Sequence, residues 1–165
     1  MITYLRIAAL VAAGGIVWVV VASEVPGHTR LPIAGVVPGA VVTLPFGCTS
    51  FELEPYDPFC PGRHIHTGID LAAPMGTSVL AAAAGVAHVG FDPNGAGLYV
   101  VVSVGAHARV FYCHLSSVSV ADRQAVSAGQ VVGAIGESGR ATGPHLHFEI
   151  QVDGSSVDPV AWLGS

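Results

Sequence analysis

The sharpest polarity pattern in the chain is a strict alternation near its C-terminal end: His145, Leu146, His147, Phe148, Glu149, Ile150. Period-two alternation predicts a strand. Successive side chains of a strand point to opposite faces, so His145, His147 and Glu149 share one face and Leu146, Phe148 and Ile150 the other. Thr142-Gly143-Pro144 makes the turn that leads into it. Residues 108–115, Ala-Arg-Val-Phe-Tyr-Cys-His-Leu, alternate too, predicting Val110, Tyr112 and His114 on one face with Cys113 turned away as an inert buried thiol. Around residue 67, β-branched Ile65, Thr67 and Ile69 interleave with His64, His66, Gly68 and Asp70, which favours extended chain over helix. That period puts His66, Gly68 and Asp70 on one face, with His64 flanking them. Short apolar strands are expected over 78–84, 86–91 and 98–104. Pro74–Thr77 reads as a turn and Asp92–Gly97 as a hairpin loop at a sheet rim. A turn, a short apolar strand and a glycine recur after Gly76 and after Gly129, an echo that suits a compact all-β, mostly antiparallel sandwich or barrel-like domain.

One stretch departs from this pattern. Ile7 to Ala22 carries no charged side chain, and Arg6 is the only charge before it. The run predicts one N-terminal hydrophobic helix, so residues 1–23 read as a signal peptide or an N-terminal membrane anchor. A buried core helix is the alternative, opposed by the terminal position and by Arg6. Residues 24–44, punctuated by proline and glycine, read as a linker, and residues 45–165 as the domain proper. Either export route places that domain outside the cytoplasm, secreted or anchored to the membrane.

Composition narrows the function classes. The chain has 165 residues, enough for one domain with its own core. Charged residues make up 10%, all six cations are arginine, and the net charge is −5. That leaves no electrostatic footprint for nucleic acid. Membrane contact is expected only through residues 1–23. The chain holds eight histidines, which raises the expectation of a metal site. Cys48 and Cys60 are twelve positions apart and, in an exported chain, read as a disulfide, against the alternative of two unpaired thiols. Glu52, Glu54 and Asp57, between them, read as solvated. His28, His88 and His107 have no motif around them. The glycine-rich run 133–143 is no phosphate loop, because no Gly-Lys-Ser/Thr follows and a strand succeeds it.

The alternating strands carry the candidate chemistry. Two imidazoles on one face are costly to bury without a partner, and a metal or a catalytic water is the natural one. His66 and Asp70 together with a further histidine form a donor set for a first-row metal. A Tyr112 hydroxyl and a His114 imidazole beside such a metal suit transition-state stabilisation and proton transfer. Glu149 is a candidate to orient a ligating imidazole.

Taken in order, His66-x-Gly68-x-Asp70, Tyr112-x-His114-Leu115, Val126-x-x-Gly129-Gln130-x-Val132-Gly133-x-Ile135-Gly136 and Gly143-Pro144-His145-Leu146-His147-Phe148-Glu149 resemble the lysostaphin/LytM-type zinc endopeptidases of peptidase family M23. The resemblance covers about residues 45–160. It implies a groove across the sheet, one zinc ion per chain on His66, Asp70 and His147, and His114 and His145 as catalytic histidines. The implied activity is hydrolysis of peptide bonds in peptidoglycan cross-links or stem peptides. Tyr112 and Glu149 stand as auxiliary candidates. The competing reading is a non-catalytic wall-binding or hydrolase-regulating module of the same fold. A structural zinc domain with a glycan-binding groove is a third. Loss of function would tolerate loss of ligands, and all five site positions are filled.

Overall fold

Alternation of small β-branched and polar residues produces a sheet with one greasy and one functional face. The computed structural model describes residues 5–12, 15–22 and 30–164, with side chains from Arg30 onward. Its elements are β1 (Leu5–Ala12), β2 (Gly15–Ala22), α1 (Ile33–Val36), β3 (Val41–Leu44), β4 (Gly47–Thr49), β5 (His64–His66), β6 (Gly68–Ala72), β7 (Ser78–Leu80), β8 (Gly85–Asp92) and β9 (Gly97–Val104). There follow β10 (Ala108–Leu115), β11 (Ser117–Val118), β12 (Ala125–Val126), β13 (Val131–Ala134), β14 (His145–Val152), β15 (Ser155–Val157) and α2 (Pro159–Leu163).

The main sheet runs β12-β8-β9-β10-β14-β6-β3, with β15 added to β14, and every pairing in it is antiparallel. A smaller sheet, β11-β13-β7, contributes Val79 and Val132 to the same core as the inner face of the main sheet. That inner face is Ile69 and Leu71 of β6, Leu146, Phe148 and Ile150 of β14, Val110 and Tyr112 of β10, and Val100 and Val102 of β9, all buried. The echoed segments after Gly76 and Gly129 are β7 and β13, and they pair with each other. The expected all-β architecture therefore holds, as does the hairpin loop between β8 and β9.

Two expectations about the N-terminal part are corrected. The segment expected as a single hydrophobic helix forms an antiparallel pair, Leu5 opposite Ala22 through Ala12 opposite Gly15. The Ile-Val-rich run of β2 favours extended chain, and an Ala-Gly pair separates the two strands in the sequence. No helix among the described residues is long and apolar enough to cross a membrane. The expected linker, residues 24–44, does not stay outside the domain over its described part. Val36 and Val37 are buried in the core, β3 pairs with β6, and the Arg30 guanidinium lies 3.8 Å from the Trp162 ring centroid. Proline and glycine there mark turns within the domain. His28 lies outside the described residues.

Cys48 and Cys60 are joined by a disulfide with Cα atoms 5.2 Å apart. It closes the loop between β4 and β5, and a cross-link over such a loop stabilises by about 3 kcal/mol in the chain-entropy picture. That loop walls one side of the groove described next.

Candidate metal centre and catalytic groove

The outer face of the main sheet carries a groove of about 320 Å³, lined among others by Asp70, Phe111, Cys113, His114, His145, His147 and Glu149. Strand pairing builds its floor. Asp70 on β6 lies directly opposite His147 on β14, and His147 opposite Cys113 on β10. His66 arrives differently. On a continuous strand, residues four apart stand about 13 Å from each other. Here the strand breaks at Thr67: β5 pairs with β4 while β6 joins the main sheet. The break folds His66 back over Asp70.

The result is a tight triad of donor atoms. His66 Nε2 lies 3.0 Å from His147 Nδ1 and 3.2 Å from Asp70 Oδ1, and His147 Nδ1 lies 3.2 Å from Asp70 Oδ1. Donors around a tetrahedral zinc with bonds of 2.0–2.1 Å stand about 3.3 Å apart, so the spacing suits that ion. The outer hydrogen bonds say the same. His66 Nδ1 donates to the Pro45 carbonyl at 3.0 Å, which an oxygen can only accept, so the Nε2 lone pair faces the triad. The Nε2 of His147 faces the Glu149 carboxylate at 3.6 Å, so with an ion bound the ring can keep its proton there and turn the Nδ1 lone pair inward. Two lone pairs and a carboxylate converging on one point need a cation between them. These three residues can hold a metal ion.

Electrostatics follow from that crowding. Burial works against the Asp70 charge, but hydrogen bonds from His147 and His66 hold its carboxyl well below the usual range. Burial also opposes charge on His147, yet Asp70 and Glu149 outweigh it and raise its pKa to about 9. Glu149 is the hub of its own network. Thr67 Oγ1 donates to Oε2 at 3.0 Å, and Gln151 Nε2 and Ser156 Oγ donate to Oε1 at 2.8 and 2.7 Å. Despite burial, these bonds and His147 keep its carboxyl far below the ordinary range.

His114 and His145 close the groove beside the triad, with ring centroids 4.8 Å apart. Each spends Nδ1 on a backbone carbonyl, Ser138 at 2.9 Å and Gly143 at 2.8 Å respectively, which leaves each Nε2 as the free nitrogen. His145 Nε2 lies 3.8 Å from Asp70 Oδ1. Burial pushes the His114 pKa down to about 4, so this imidazole is neutral near pH 7. His114 reaches the groove through a bulge. Its φ is +63°, a left-handed conformation costly for a residue with a Cβ, and the β9–β10 register shifts between Tyr112 and Leu115. His114 N donates to Ala96 O at 2.8 Å, and Ser138 Oγ takes the Leu98 amide at 2.8 Å while donating to Leu115 O at 2.8 Å.

Two expectations about this strand are reversed. Tyr112 and His114 do not share a face. Tyr112 is fully buried in the core, its ring 5.4 Å from Phe148 and its hydroxyl accepting the Ala82 amide at 2.7 Å, so it is not part of the site. Burial raises its hydroxyl pKa beyond the ordinary tyrosine value. Cys113 lies under the groove instead of facing away from it, as a buried thiol whose pKa burial pushes up to about 12. His64 stays out of the triad, with Nδ1 on Glu54 O at 2.7 Å. His88 and His107 pair with Asp122 and Asp153 on exposed surfaces. Pro45 and Ser138, which orient His66 and His114, carried no signal in the sequence, because they act through backbone carbonyls. Glu54 lines the groove, where a solvated acid was expected.

A histidine–aspartate–histidine triad on an antiparallel sheet, flanked by two imidazoles with free nitrogens, defines a metallopeptidase type of centre. The model of peptidase family M23 matches residues 64–159, and the chain belongs to that family. The chain is 43% identical over 97 residues to the DD-carboxypeptidase/endopeptidase Mpg of Neisseria meningitidis serogroup B, covering 59% of this chain and 22% of that protein. It is 43% identical over 93 residues to the peptidoglycan DD-endopeptidase ShyA of Vibrio cholerae, covering 56% and 22%. The chain thus spans under a quarter of the length of these curated relatives. Among solved structures, the catalytic domain of the antimicrobial peptidase lysostaphin from Staphylococcus simulans superposes with a TM-score of 0.64 at 30% identity, covering 76% of this chain and 93% of that one. A zinc-containing peptidase from Vibrio cholerae gives 0.66 at 28% identity, covering 92% and 48%.

Proposed function

We propose that this chain is a zinc-dependent endopeptidase that hydrolyses peptide bonds in the stem peptides or cross-links of peptidoglycan. The observation that carries the reading is the triad, three ligand atoms 3.0–3.2 Å apart, beside two further histidines whose Nδ1 atoms are spent on backbone carbonyls and whose Nε2 atoms are left for chemistry. His66, Asp70 and His147 hold the ion. When bound, zinc supplies Lewis acidity and lowers the pKa of a water molecule to about 7. The protein's own groups do the rest. His114, neutral and rigidly oriented by Ser138, accepts a proton at Nε2 and returns it to the leaving amine. His145, oriented by Gly143, directs Nε2 at the groove floor and stabilises the charge that develops on the scissile carbonyl oxygen. Pro45 and Glu149 fix the orientations of His66 and His147. The walls from the Cys48–Cys60 loop and the β8–β9 hairpin keep an extended peptide over the floor. An extracytoplasmic site of action is supported by the disulfide, which persists in oxidising compartments, and by the wall peptidases among the relatives.

The test is incubation of the full, zinc-loaded chain with peptidoglycan sacculi of different cross-link types and with glycine-rich peptides, followed by mapping of new amino termini. Cleavage is expected. His114→Ala retains zinc and loses activity, whereas His147→Ala loses both. A zinc-loaded chain that cleaves no wall type, or an active His114→Ala variant, overturns the reading.

A further inference from the structure

The groove contains one feature that hydrolysis itself does not use. Arg140 lies in the loop that leads into His145 and lines the groove. Among the described residues it is the only arginine or lysine that does so. Its backbone amide donates to Gly95 O at 2.8 Å, on the β8–β9 hairpin, and its Nη2 donates to Leu53 O, on the disulfide-closed loop. The backbone is therefore tied to the hairpin and the guanidinium to the disulfide-closed loop. A guanidinium has five N–H donors, and the contacts above use one of them. Among the described residues no carboxylate pairs with it. Two of the groove's acids are committed elsewhere, Asp70 to the triad and Glu149 to Thr67, Gln151, Ser156 and His147. A charged fork lining a peptide groove, with donors to spare, matches the geometry of a carboxylate.

We propose that Arg140 is a substrate-anchoring residue that selects peptides bearing a free carboxylate close to the scissile bond, and that it disfavours neutral glycine bridges. The inference rests on the endopeptidase reading and deepens it: wall peptides differ in whether the carboxylates of their stem residues are free, amidated or absent. The anchor binds; it takes no part in bond cleavage.

Binding separates this from catalysis. In the full, zinc-loaded chain carrying His114→Ala, so that peptide is not turned over, a diaminopimelate-containing stem tetrapeptide is titrated calorimetrically in its free-acid form and with its carboxyls amidated. The free acid is expected to bind on the order of tenfold or more tightly than the amide, as for a charge-assisted bidentate contact. Adding Arg140→Gln should erase the difference by weakening the acid alone, and Arg140→Lys should restore part of it. Equal binding of acid and amide, binding of neither, or an equal loss for both peptides in Arg140→Gln overturns the proposal, the last showing that Arg140 only holds the loops together. Wild-type cleavage of sacculi without discrimination between free and amidated peptides leaves the endopeptidase reading standing and removes this one.

Discussion

Gly68→Ala tests whether the triad depends on a close backbone approach. Gly68 lies on β6 opposite Glu149. A Cβ built there stands 2.5 Å from the Phe148 carbonyl oxygen, 2.9 Å from its carbon and 3.0 Å from His147 Cε1. Ordinary contact begins at 3.4 Å, so β6 and β14 must separate by about 0.9 Å, the difference 3.4 − 2.5. Both strands carry ligands, Asp70 and His147, and metal–ligand distances tolerate only about 0.2 Å. The core can absorb a strain of about 1–3 kcal/mol, whereas the donor set cannot absorb the displacement. The expected outcome is a folded variant with thermal stability modestly reduced and zinc affinity lowered by at least about tenfold, as for loss of a ligand-orienting contact. Competition with a chromophoric chelator measures the affinity, and thermal unfolding of the metal-free protein measures the fold. Wild-type zinc affinity in Gly68→Ala would refute the reasoning, since it would mean the strands yield without disturbing the ligands.

Three further outcomes follow from the same geometry. Tyr112→Phe strands the buried Ala82 amide; it should cost about 1–3 kcal/mol in denaturant unfolding and leave kcat unchanged, and a loss of kcat without a loss of stability would return Tyr112 to the site. Glu149→Gln removes the acceptor facing His147 Nε2 and should lower zinc affinity about 10–100-fold, and it should also lower the unfolding midpoint of the metal-free protein, since Glu149 helps stabilise protonated His147 there; unaltered affinity would deny Glu149 its orienting role. In the metal-free protein His147 has a folded pKa raised from 6.5 to about 9, so its contribution to stability is complete below about pH 6.5 and is lost as pH rises through 9. Unfolding curves of the metal-free chain should therefore weaken between those pH values. Zinc binding near pH 7 should release a proton, measurable from the buffer dependence of the binding heat.

The alternation at 145–150 and the β-branched spacing at 65–69 were enough to place polar and apolar faces, because a strand's period of two is a local property. The twelve-residue spacing of Cys48 and Cys60 likewise pointed to the disulfide that forms. Motif order pointed to the family, and the fold and the match over 64–159 agree with it. Period-two reasoning also had a definite limit. It assumes an unbroken strand, and at the two places that matter most the strand is broken.

The sequence by itself determined the all-β class and the faces of β14, and it named His66, Asp70 and His147, the three residues that come together as a group able to hold a metal. Only the tertiary structure decided how they meet. At Thr67 a break lets the side chains of His66 and Asp70, whose backbones would stand about 13 Å apart on one extended strand, meet with Nε2 and Oδ1 3.2 Å apart. At His114 a bulge held by Ala96 and Ser138 breaks the alternation after Tyr112, so Tyr112 stays on the core face with Val110 while His114 turns into the groove. Both devices are fixed by contacts with segments far away in the chain, Pro45 and β4 for the first, the 95–97 and 138 loops for the second. No local pattern of apolar and polar residues records such contacts, because the partners are backbone carbonyls and amides that every residue carries.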